Sequence, residues 1–140
     1  MPIRYTVHAA SSFAHLTAEG PINYKELSTA IRKLLEEPDF KPGIQIIGDF
    51  RNAELEVGST ELWNLLYLLQ AFPERVERTR WALLAQAPAT FGLLRMLSSY
   101  GERLHVKIGV FRTLESAREW LNERDGLPTG HFDRALPPGI

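Results

Sequence analysis

Ile44-Gln45-Ile46-Ile47-Gly48-Asp49-Phe50-Arg51 is a short apolar run that stops at a carboxylate and a guanidinium, and a helix opens soon after it at Ser59-Thr60-Glu61-Leu62. A parallel strand buried on both faces reads as such a run, and open α/β sheets bind their ligands outside the carboxyl ends of these strands. The stretch therefore predicts a strand over Ile44–Asp49 that delivers Asp49 and Arg51 to the ligand-binding end of a sheet.

The flanking segments agree. Upstream, Asn23 can cap a helix, and Glu26 three residues later can reach back to its amide as a capping box. Leu27, Ala30, Ile31, Leu34 and Leu35 then share one stripe, with Pro38 and Pro42-Gly43 as the stop. Further upstream, Ile3–Ala9 alternates apolar and polar residues and Ser12–Ala18 follows closely, which predicts an antiparallel hairpin ended by Gly20-Pro21. Downstream, a second helix runs over Ser59–Phe72 to Pro73, with Leu62, Leu65, Leu66 and Leu69 inward. A strand over Arg80–Gln86, a helix over Pro88–Tyr100 with Leu93, Met96, Leu97 and Tyr100 inward and closed by Gly101, a strand over His105–Phe111 and a helix capped by Thr113 complete the pattern. The order ββαβαβαβα predicts a single α/β domain over residues 1–124. Its five-stranded sheet is parallel except at the first strand and carries four helices, and a Pro/Gly-rich tail follows over 125–140.

Composition narrows the function. The 140 residues fit one domain, and 16 basic against 17 acidic side chains give a net charge of −1, scattered along the chain, so nucleic acid is not an expected partner. There is no cysteine, which removes disulfides and thiolate chemistry. No apolar run approaches the roughly 18 residues of a membrane span, and the N-terminus lacks a signal-peptide pattern, so a cytoplasmic protein without a transmembrane segment is expected.

Several short motifs accompany this order: Glu37-Pro38-Asp39-Phe40, Gly48-Asp49-Phe50-Arg51, Arg80-Trp81-Ala82, Phe91-Gly92-Leu93-Leu94-Arg95-Met96, and Val110-Phe111-Arg112-Thr113-Leu114-Glu115-Ser116-Ala117 leading to Trp120-Leu121. Order and motifs together resemble the STAS-like group, the bacterial SpoIIAA-like proteins similar to the sporulation anti-anti-sigma factor. The likeness covers residues 3–122. It implies a protein-interaction module, and more distant relatives with this winding bind lipids. In the anti-anti-sigma proteins a serine opening the helix after the third strand is phosphorylated, and Ser59 or Thr60 is its positional counterpart. Their Asp-Ser-Ser-Gly type of motif is absent, because this chain reads Glu56-Val57-Gly58-Ser59-Thr60-Glu61.

The candidate residues each carry two readings. Asp49 and Arg51 either build a site with Gln86 and Thr90, or Asp49 holds a nearby backbone group and pairs with Arg51 or Arg80. Ser59 either accepts a phosphate at the helix N-terminus or serves as the N-cap. His8 and His15 share a hairpin face without metal-ligand spacing, so neither metal nor cofactor is expected. No nucleophile elbow, phosphate-cradling glycine loop or metalloprotease motif is present, and an enzyme is not expected. Trp63, Tyr67, Leu68 and Phe72 widen the apolar surface of the second helix beyond a core stripe. They point to a contact with a protein partner or a second copy, a dimer first, oriented by Asp49, Arg51 and Ser59. The alternative is a carrier of an apolar small molecule or lipid, with a cavity lined by Leu66, Leu69, Phe91 and Leu94.

Overall fold

The computed structural model describes residues 2–123, so the expected tail over 125–140 lies outside the described residues. Strands β1 (Ile3–His8) and β2 (Phe13–Asn23) pair antiparallel, with Tyr5 opposite Leu16. Helix α1 (Tyr24–Glu36), strand β3 (Gln45–Glu56), helices α2 (Ser59–Gln70) and α3 (Pro73–Val76), and strand β4 (Arg80–Leu84) follow. Helix α4 (Pro88–Arg103), strand β5 (Lys107–Phe111) and helix α5 (Leu114–Asn122) end the described chain. The sheet order is β1-β2-β3-β4-β5, with every pair after the first parallel. The predicted mixed α/β sheet is observed, and the single-turn α3 adds a fifth helix to the four expected.

Right-handed crossovers put the helices of successive βαβ units on one face. α1, α2 and α4 cover that face, where Leu27, Ile31, Leu62, Leu66, Leu94 and Leu97 pack on Leu16, Ile46, Phe50 and Trp81. α5 follows the last strand with no crossover to make and takes the opposite face, where Ala117 and Leu121 meet Phe13, Ile47, Ala82 and Leu84. The period of two along β4 sorts Trp81 and Leu83 to one core and Ala82 and Leu84 to the other. α1 begins with the expected capping box: the Glu26 amide donates to Asn23 Oδ1 at 2.8 Å, and the Asn23 amide donates to Glu26 Oε1 at 3.0 Å. Thr113 caps α5 as predicted, accepting from the Ser116 amide at 3.2 Å.

Several boundaries differ from the sequence reading: α2 ends at Gln70, β4 ends at Leu84 and β5 begins at Lys107, each two residues short, and three others differ by more. β2 does not stop at Gly20-Pro21 but runs on to Asn23, with Gly20 at φ 73. Beyond Glu19 it has no β1 neighbour, so the amide that Pro21 lacks has no ladder to serve on that side. β3 does not end at Asp49 but continues to Glu56, burying Ala53 and Leu55 in the α1–α2 core. Between Thr17 and Glu19 of β2 the partner register on β3 moves from Asp49 to Asn52, so β3 carries one extra residue as a bulge. α4 passes through Gly101, where an added Cβ would lie 3.0 Å from the Val106 carbonyl oxygen. The glycine allows close packing there, and His105, at φ 59, makes the turn into β5.

Candidate functional site

α2 buries Leu62, Leu65, Leu66, Leu68 and Leu69, which uses up its core-facing side. Trp63 and Tyr67, one helical turn apart, are left on its flank, beside α4. Tyr100 of α4 stacks on Trp63 with ring centroids 4.4 Å apart and planes 11° from parallel, and Tyr67 lies 6.2 Å from Trp63. Tyr67 is 55% exposed and Met96, one turn before Tyr100, is 37% exposed; they are the exposed large hydrophobic side chains among the described residues. The result is a preformed aromatic surface spanning two helices. Such rings add large apolar area at little entropic cost, and their polar tips tolerate water when unbound.

The sequence reading identified Trp63 and Tyr67 but assigned Met96 and Tyr100 to the core. Met96 instead lies exposed on the flank of α4, whereas Tyr100 packs partly on the core and completes the stack. Leu68 and Phe72, expected to widen the same surface, pack on the core instead, Leu68 buried and Phe72 partly so.

Asp49 and Arg51 stand at the β3 bulge, in mid-strand. The Arg51 guanidinium donates to Asp49 Oδ1 at 3.0 Å and to Oδ2 at 2.8 Å, and the Arg51 amide donates to Oδ1 at 3.1 Å. Burial opposes ionisation of Asp49, but the Arg51 hydrogen bonds and charge outweigh it and hold the carboxyl below its ordinary value. The guanidinium pKa rises correspondingly, first through its hydrogen bond to Asp49. His15 on β2 is pushed below its ordinary value by burial, with Asp49 opposing and His8 and Arg51 reinforcing that shift. Thr17 Oγ1 and His15 Nε2 lie 3.1 Å apart.

The other expected members of this site make contacts of their own. Thr90 is buried and donates to the Ala53 carbonyl at 3.1 Å, tying α4 to the extended part of β3. Gln86 is exposed, and its carbonyl accepts from Arg112 at 3.2 Å. Phe91 is half-buried beneath the Arg112 guanidinium, 4.1 Å from its ring centroid. Arg80 lies over Trp120 at 4.0 Å. Asp49 and Arg51 thus pair with each other, while Thr90 and Gln86 each make a tertiary hydrogen bond of their own.

Gly58, not Ser59, precedes the first turn of α2, and its amide donates to Glu61 Oε1 at 2.9 Å. Ser59 and Thr60 are both exposed in that first turn, one turn before Trp63. The core between sheet and helices holds a cavity of about 40 Å³ lined only by apolar side chains. Leu69 and Leu94 are among them, whereas Leu66 and Phe91 are not. A cavity with room for a few waters admits no acyl chain unless the core opens. A larger concavity of about 810 Å³ is an open groove at the amino-terminal end of the strands, between Pro73–Thr79 and Leu104–Lys107, and none of the expected contact residues lines it. No described helix is long and apolar enough to cross a membrane.

No family model and no curated protein matches the chain. Among solved structures, the chain is similar to an uncharacterized protein of the DUF3478 family with a SpoIIAA-like fold from Shewanella loihica PV-4. The two share 15% identity and superpose with a TM-score of 0.54, over 85% of this chain and 93% of that one. The likeness and the ββαβαβαβα order agree, and the chain has a SpoIIAA-like fold.

Proposed function

We propose that the protein is a non-enzymatic interaction or regulatory module that associates through the α2–α4 aromatic face, with a second copy of itself as the first partner to test. The observation that carries this reading is the stacked Trp63–Tyr100 pair with Tyr67 exposed beside it. Rings already packed against each other lose little freedom on binding, so the apolar area they bury acts with little ordering cost. Ser59 and Thr60 lie one turn from Trp63, so a phosphate there would place charge beside the contact and weaken an apolar interface. The core cavity of about 40 Å³ gives no support to a lipid-carrier reading.

The test is the Trp63→Ser/Tyr67→Ser double variant, followed by size-exclusion chromatography with light scattering. The wild type should elute as a dimer or larger species and the variant as a folded monomer with an unchanged circular-dichroism spectrum. A folded variant that stays oligomeric removes this face as the contact.

A further inference from the structure

We infer that Met96 makes assembly through the α2–α4 face sensitive to peroxide, so that oxidation of its thioether to the sulfoxide separates the chains. The inference rests on the reading of that face as a contact between copies. The sequence contains two methionines, Met1 and Met96, and no cysteine, so no thiol competes with Met96 for a two-electron oxidant. Helix α4 buries Thr90, Leu94, Leu97 and Gly101, which sets its inward stripe. Met96 lies beside that stripe, exposed, and belongs to neither core cluster. It stands one turn before Tyr100, whose ring stacks on Trp63, and residues four apart share a helix flank. A partner that covers the aromatic stack therefore covers Met96 with it.

The thioether serves such a contact only in its reduced form. Reduced, it is apolar and polarisable, fills irregular gaps and makes favourable contacts with aromatic rings. Hydrogen peroxide transfers one oxygen to the sulfur. The peroxide O–O bond breaks, an S–O bond forms, the sulfur loses two electrons and water leaves. The sulfoxide oxygen is a hydrogen-bond acceptor that an apolar contact leaves unsatisfied, so burying it is unfavourable. Access supplies the coupling. The oxidant reaches Met96 in the separated chain, and association covers it. Oxidation therefore captures separated chains, while the fold, whose core excludes this side chain, is unaffected. The change is reversible, because each sulfoxide epimer has its own reductase.

The test treats the full chain with hydrogen peroxide, locates the added oxygen by peptide mass spectrometry and measures association by sedimentation velocity. Protein oxidised at Met96 should keep its circular-dichroism spectrum and associate about tenfold or more weakly. Treatment with the two methionine sulfoxide reductases should restore the untreated affinity. Met96→Leu keeps the apolar area without the sulfur, so it should associate like the wild type and ignore peroxide. Met96→Gln should associate weakly without any oxidant. Met96 should also oxidise more slowly at protein concentrations where the chains are associated. Undiminished association of the Met96 sulfoxide, a Met96→Leu protein that still responds to peroxide, or oxidation at a rate independent of protein concentration would each overturn the inference and leave the α2–α4 contact standing. A wild type that is monomeric before treatment would overturn the reading beneath it, and this inference with it.

Discussion

Replacing Asp49 by Asn tests whether the most conspicuous polar pair of the sequence supports the fold. Asn keeps an oxygen for the Arg51 amide and for one guanidinium nitrogen. It loses the charge and the 2.8 Å bond from Arg51 Nη2 to Oδ2. A hydrogen bond to a charged group contributes about 1.5–3 kcal/mol. The Arg51 side chain is 34% exposed and that of Asp49 17%, so solvent screens part of this. The expected loss is about 1 kcal/mol, or roughly 3–5 °C in Tm for a domain of this size. Urea denaturation at neutral pH, followed by tryptophan fluorescence, measures it. The sign of the pH dependence provides a second check. The folded-state pKa of Asp49 is lowered, so its contribution is present above the ordinary carboxylate value and is lost as the pH falls through the folded value. The two proteins should therefore converge in acid. An Asp49→Asn protein as stable as the wild type at neutral pH, or more so, would refute the reasoning and return the carboxylate to the list of functional groups.

Gly101→Ala places a methyl 3.0 Å from the Val106 carbonyl and 3.3 Å from Ile108 Cδ1. It should destabilise by about 1–3 kcal/mol despite the better helix propensity of alanine, which urea titration would register. His15 has a lowered folded-state pKa, so wild-type stability should fall as the pH drops through the ordinary histidine value toward the folded one. His15→Gln should flatten that part of the stability-versus-pH curve, and an unchanged slope would assign it to other groups.

The parts of the fold that were legible were those where period and local chemistry agreed. The α1 stripe from Leu27 to Leu35 and its Asn23–Glu26 box name one helix with one start. The run Ile44–Ile47 fits a strand buried on both faces. The end of β3 was not legible, because Asp49 and Arg51 interrupt the apolar pattern and the bulge reverses its parity. The alternation over Asn52–Glu56, with Ala53 and Leu55 inward, then reads as loop unless the bulge is known. Asp49 does stand at the last β3–β4 pair, opposite Leu84, but its carboxylate is taken up by Arg51, and Thr90 bonds the Ala53 carbonyl of the continuing strand. The surface aromatics were half legible. Trp63 and Tyr67 exceed what the α2 stripe can bury, but helical period alone does not show which flank of α4 brings Tyr100 against them.

The most direct test of the central claim is native mass spectrometry of freshly purified full-length protein, repeated under denaturing conditions. The account predicts an assembly of two or more chains whose mass is a multiple of the chain mass, with nothing released on denaturation. A monomer carrying a lipid-sized mass that is lost on denaturation would contradict it and make the protein a carrier.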